Sequence, residues 1–371
     1  MPDINRRLSS LDLLSPPDLW DDIRTRRPRG PRPERPMRRI VVAVLALVVS
    51  AAAVAFAVRA FVRTSPDLSV GPSLPVHLHA NGDIAFIGGE QPGGVFVPSN
   101  VFVTHPDGTG LRQLTRGQSR ILSLAWSPDG TRLAFVRTGG EFPPDNIFVV
   151  DIRTGHVTQL TTQTSQYEGS PAWSPDGSRI AFARRGANGS WEIYTMRPDG
   201  TDVGQLTHGG GNHGEPAWSP DGTRIAFTAT AAPDSGGTDV YVMQADGTGV
   251  RRVTATPTLF ESDPQWTPDG SRLSFLVHGP DDRPPDRILS VGEDGSDART
   301  IHVCGRGCGE ILDYAWAPDG RQILFTVITA DTGNAVSRRL YVMAADGTGV
   351  RLVPTGSRGA CCGRWQPLPG P

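Results

Sequence analysis

Six ionisable residues occupy one recurrent place, the few positions before a tryptophan. They are Glu168 in EGSPAW, His213 and Glu215 in HGEPAW, Glu261 and Asp263 in ESDPQW, and Asp313 in ILDYAW. Paired carboxylates beside an imidazole form a donor set for a divalent cation such as calcium. They also suit general acid–base work when burial and like-charge proximity drive their pKa values apart. Acidic residues at strand starts serve equally well as solvated surface, or as acceptors that anchor neighbouring turns. The counterparts LSLAW (122–126) and CCGRW (361–365) carry no carboxylate, so a pocket built from these positions is asymmetric.

No complete catalytic constellation accompanies them. The Gly-x-Ser-x-Gly elbow of α/β hydrolases is absent. The histidines, His77, His79, His105, His156, His208, His213, His278 and His302, stand at unlike positions without the spacing of zinc ligands. Cys304 and Cys308 lie in CGRGCG, and Cys361 and Cys362 in the matching junction one unit later. Disulfides are the expected use, either as a local Cys304–Cys308 bridge or as a staple between the two junctions, and four cysteines allow three pairings.

The elements that must position these residues come from a repeat. Trp126, Trp173, Trp218, Trp266, Trp316 and Trp365 are spaced by 47, 45, 48, 50 and 49 residues, and the first five open turns of the form WSPDG, WTPDG or WAPDG. Each turn leads into an alternating apolar stretch (RLAFVR, RIAFAR, RIAFTA, RLSFLV, QILFTV), then a variable loop, a second stretch such as EIYTMRP or RLYVMAA, and an Asp-Gly turn. Proline sets the first corner of such turns and Asp-Gly permits the rest of the path. Each unit therefore reads as four short antiparallel strands.

A period near 48 with four strands predicts a six-bladed β-propeller over residues 82–371, with the tryptophans and the following phenylalanines as the repeating core. The first unit, beginning at GDIAFIGG (82–89), lacks a Trp strand, and the strand around Trp365 is expected to complete it and close the ring. The long loops 139–145, 229–239, 278–287 and 328–339 are expected to gather on one face, where propellers commonly meet partners.

Residues 40–58 read IVVAVLALVVSAAAVAFAV, without a charge, long enough as a helix to cross a hydrocarbon core of about 30 Å. Arginines crowd the preceding flank, so the positive-inside rule places residues 1–39 in the cytoplasm and the propeller outside, after a stalk at 59–81. Within the tail, SPPDLWDDIRTR predicts a short helix around Trp20, either lying on lipid or docking a cytoplasmic partner. A formal net charge of -2 argues against nucleic acid as a partner.

The tryptophan-Ser-Pro-Asp-Gly turn followed by an Ile-Ala-Phe strand resembles the WD40-like (PD40-like) repeat of TolB-type β-propellers. The resemblance implies the propeller fold. It spreads over periplasmic interaction modules, propellers attached to serine peptidases and polysaccharide lyases with a histidine-rich metal site. The expected function is therefore binding of a protein or cell-envelope ligand by a single-pass membrane protein. A metal-assisted hydrolase or lyase at the acidic channel mouth and a transmembrane regulator or sensor are the alternatives.

Overall fold

The computed structural model describes residues 81–89, 99–139, 144–162, 166–209, 211–230, 237–256, 259–278, 286–304, 309–330, 336–356 and 359–368. The predicted tail at 1–39, membrane helix at 40–58 and nearly all of the stalk at 59–81 lie outside them, as do Cys308 and much of the long loops. Among the described residues no helix is long and apolar enough to cross a membrane. Contacts divide the chain into Met1–Ser69 and Val70–Pro371, and every described strand belongs to the second unit.

The alternating stretches form antiparallel strands, as their period of two requires. Four sheets have four strands each. One of them runs Gly359–Trp365, Ile84–Gly89, Asn100–Thr104, Arg112–Gln113, so a strand from each end of the repeat region shares one sheet. Six separate sheets were expected, but the units spanning Gly214–Arg252 and Phe260–Val303 are joined as one eight-stranded sheet. The joint is a single parallel bridge between Thr238 and Phe260, supported by a hydrogen bond from Thr238 Oγ1 to the carbonyl of Glu261 at 2.7 Å. Each half of that sheet keeps its own antiparallel four-strand order.

The recurrent phenylalanines Phe86, Phe135, Phe182, Phe227, Phe275 and Phe325 are no more than 2% exposed. Five stack on the aromatic residue opposite them in the next strand, for example Phe135 on Phe148 and Phe227 on Tyr241, with centroids 5.6–5.8 Å apart. Phe275 faces Leu289 instead. Apolar clusters form between neighbouring units, because no single sheet can bury both of its faces. Ala85, Ile87 and Val101 pack with Ile121, Trp126 and Leu133, while Ile84 and Phe86 pack with Leu324, Leu340 and Trp365. The first sheet thus touches both the second and the last.

Four of the five Trp-adjacent turns share one internal wiring, the fifth having Ala317 in place of the hydroxyl residue. Ser127, Ser174, Ser219 and Thr267 donate their hydroxyl protons to Asp129, Asp176, Asp221 and Asp269 at 2.5–2.6 Å. The same hydroxyls accept the amide protons of Arg132, Arg179, Arg224 and Arg272. These hydroxyl bonds hold Asp176, Asp221 and Asp269 below the ordinary carboxylate range. Gly130 ends the first such turn at a φ of 66°, and a Cβ placed there would meet the carbonyl oxygen of Pro367 at 2.5 Å.

Gly130→Ala is accordingly expected to cost about 1–3 kcal/mol, since it combines a left-handed backbone with a contact to the closing strand's end. Thermal unfolding followed by tryptophan fluorescence checks it. Gly117→Ala, where an added Cβ meets nothing within 4 Å, serves as the control and should stay within about 0.5 kcal/mol of the parent.

Candidate functional site

The six strands that end in the recurrent tryptophans are Ile121–Trp126, Glu168–Trp173, Gly214–Trp218, Phe260–Trp266, Glu310–Trp316 and Gly359–Trp365. Together they wall a cavity of about 790 Å³. Each shifts register against its neighbour just before the tryptophan, a β-bulge that re-aims side chains. Ser170, Glu215, Asp263 and Cys362 take positive φ values of 51°, 53°, 49° and 59° at these breaks.

The third residue before each tryptophan lines the cavity: Ser123, Ser170, Glu215, Asp263, Asp313 and Cys362. So does the residue immediately before it, which is alanine at 125, 172, 217 and 315 but Gln265 and Arg364 in the other two strands. One part of the wall is therefore small and neutral, and another is charged. Arg364 sits 3.2 Å from Asp313 and 3.8 Å from Asp263. The Asp263 amide donates to Glu215 Oε2 at 2.8 Å, and Gln265 Nε2 donates to Asp263 Oδ2 at 3.3 Å. Asp313 is 7% exposed, and its Oδ1 has no hydrogen-bond partner among the described residues.

Burial, followed by the charge of Asp263, pushes the Glu215 carboxyl up to about 7. Burial also raises Asp263, against the opposing pull of Arg364. For Arg364 burial alone would lower the pKa, but Asp263 and Asp313 outweigh it and hold the guanidinium charged. With both aspartates ionised the cluster carries net negative charge, which suits a basic ligand group.

The other three predicted residues lie elsewhere. Glu168 is 1% exposed, accepts two bonds from Arg184 at 2.9 and 2.7 Å, and holds the hydroxyl of Thr161. Glu261 is likewise buried and takes the hydroxyls of Thr254 and Thr256 and the amide of Val240. His213 pairs with Glu192, which also receives the hydroxyl of Thr207. These three clasp an inner strand to the preceding unit. The predicted set is thus divided: Glu215, Asp263 and Asp313 come together at the channel, while Glu168, His213 and Glu261 do not join them.

Arg364 and Gln265 were not among the predicted residues, although their departure from alanine at an otherwise repeated position was the available signal. Among the described residues, one set of three ligand-type donors gathers within 4.8 Å, His278, Asp286 and Glu310, and none of them belongs to the predicted set. All six tryptophans border the cavity as well as the clusters between units. Cys304 is disulfide-bonded, whereas Cys361 and Cys362 are free, with sulfurs 3.1 Å apart. The staple between the two junctions is therefore not formed. Each member of the later pair has its own neighbour at hand on the closing strand.

A family model described as the TolB beta propeller domain matches residues 81–368. The chain belongs to the TolB beta-propeller family. A Protein TolB homolog of Chlorobium luteolum is 35% identical over 142 residues, covering 38% of this chain and 30% of the relative. The chain thus aligns with under a third of that relative's length. TolB from Acinetobacter baumannii shares the fold with a TM-score of 0.62 at 22% identity, over 77% of this chain and 66% of that one. A putative TolB from Agrobacterium tumefaciens gives 0.56 at 19%, over 77% and 100%.

The pKa of Glu215 dictates a pH dependence for this TolB-type propeller. A carboxyl that holds its proton more tightly in the folded state than in the unfolded one stabilises the fold below its unfolded value of 4.5. That contribution is lost as pH rises through about 7. Relative to the parent, Glu215→Gln should therefore gain stability between pH 5 and pH 8, on the order of 2 kcal/mol after allowing for channel water. Urea unfolding of both proteins at the two pH values measures it.

Proposed function

We propose that this TolB-type propeller is a membrane-anchored module that binds a protein or cell-envelope ligand bearing a basic group in its channel. The observation that carries the reading is the charged part of the wall, where Glu215, Asp263 and Asp313 gather and Arg364 pairs with the two aspartates. Three carboxyl groups outnumber the one guanidinium paired with them, whereas Ser123 and Ser170 on the other strands are small and neutral and Arg120 and Arg338 also line the cavity. A ligand cation entering this low-dielectric space gains more from those carboxylates than it would in water.

The arrangement along the chain supports the same reading. Residues 1–39 are an arginine-rich cytoplasmic tail, residues 40–58 a membrane helix, residues 59–81 a stalk and residues 82–371 the propeller, single-pass with its N-terminus inside. The eight-stranded sheet counts as two units bridged at Thr238, which makes six blades in the ring. The variable loops supply further contact surface, and the Trp20 segment offers a site for a cytoplasmic partner.

Two measurements test this. Protease added to intact cells should remove a tag at the C-terminus and spare one at the N-terminus, and protection of both tags would sink the anchored topology. Affinity capture from native membranes should retain an envelope component with the full-length chain. Glu215→Gln, Asp263→Asn and Asp313→Asn combined should lose it while keeping a cooperative melt. Retention of the same component by the neutralised variant would move the binding surface away from the channel.

A further inference from the structure

Three side chains form a hydrogen-bonded line that starts at the cavity wall and that the binding reading does not use. Ser262 borders the cavity and is the last residue in register before the bulge that carries Asp263. Its Oγ lies 3.1 Å from His278 Nε2. On the other side of the imidazole, Nδ1 lies 3.1 Å from Asp286 Oδ1. Asp286 is 4% exposed, and its second oxygen accepts the backbone amide of Ile311 at 2.8 Å, which fixes the carboxylate's orientation. With the ring proton on Nδ1 and donated to Asp286, Nε2 is free to accept the Ser262 proton.

From this geometry we infer that Ser262 is a nucleophile, with His278 as its proton acceptor and Asp286 as the positioning residue, acting on small carboxylic esters that enter the channel. Such a constellation is recognised by geometry and role rather than by order in the chain. Ser262 Oγ bonds to the acyl carbon as its proton passes to His278 Nε2. The ester C–O bond then breaks, and the imidazolium returns that proton to the departing alkoxide. Water repeats the sequence on the acyl-serine and releases the carboxylic acid, leaving all three side chains as they began. No metal or redox partner is needed.

The amide after a nucleophilic serine is a usual donor to the developing oxyanion. Here the Asp263 amide is already engaged by Glu215 Oε2, so turnover is slow and the covalent serine adduct is the species to trap. This inference can fail separately from the proposed ligand binding, because its readout is a covalent adduct at Ser262 and not the capture of an envelope component.

The test uses the full-length chain in detergent and an alkyl fluorophosphonate. Ser262 Oγ forms the bond to phosphorus, fluoride leaves, and His278 takes the proton. Peptide mass spectrometry should map one adduct to Ser262, absent in Ser262→Ala. His278→Gln should slow its formation at least about 100-fold, the usual contribution of a positioned general base. Asp286→Asn should slow it as well, with a melting curve confirming that each variant is folded. Prior incubation with p-nitrophenyl acetate should protect the parent protein, a readout that needs no variant. The inference is overturned if the folded parent forms no adduct at Ser262, if folded His278→Gln reacts at the parent rate, or if EDTA abolishes labelling and a divalent ion restores it.

Discussion

The break in each inner strand just before its tryptophan decides which side chains reach the channel. In an unbroken strand the third and fifth residues before the tryptophan would share a face. The bulge separates them. The fifth position turns into the junction between units, where Glu168 and Glu261 are consumed in hydrogen bonds to threonine hydroxyls. The third position turns into the cavity at Glu215, Asp263 and Asp313. Left-handed backbone at non-glycine residues costs on the order of 1–3 kcal/mol each. The strain at Ser170, Glu215, Asp263 and Cys362 persists because the tryptophan and phenylalanine layers on either side fix the strand ends.

This break also explains what could be read from the sequence and what could not. The repeat period, the hairpins and the pairing of the Trp365 strand with Ile84–Gly89 were legible, because tryptophan, Pro-Asp-Gly and alternating apolar residues are local signals tied to specific backbone geometry. The division of the six ionisable residues into clasp and channel was not, since their spacing in the sequence has the same parity. A bulge leaves no dedicated residue type behind: serine, glutamate, aspartate and cysteine all occupy it. The merger of two units through Thr238 and Phe260 was equally hidden, as one backbone bridge changes the sheet count without changing the pattern. Ser262, His278 and Asp286 were invisible for a different reason, because they meet across separate strands and no short motif joins them.

The clasps and the channel cluster spend charge in opposite ways. Glu168 is fully engaged by Arg184 and Thr161, so its burial is compensated and its role ends with holding two units together. The channel cluster is compensated only in part. Arg364 cannot satisfy Asp263 and Asp313 equally, and Asp313 Oδ1 is left without a partner among the described residues. A buried charge that is half-paired is unfavourable for the fold alone, which makes the cluster a poor candidate for a purely structural element.

Glu215 sets how much charge that cluster presents. Protonated, it leaves two aspartates facing one arginine; ionised, it adds a third negative group beside Asp263, whose own burial already disfavours charge. Because its carboxyl titrates at about 7, small changes of surrounding pH alter the field in the cavity. A basic ligand group bound beside Asp263 would lower that pKa, and by linkage the ligand would bind more tightly as Glu215 gives up its proton. Arg364 limits the effect, since it stands in the same wall and repels any second cation that approaches Asp313 directly. The favourable approach for a basic group is therefore along the Glu215 side, with Ser123 and Ser170 on the other strands left to accommodate the rest of the ligand.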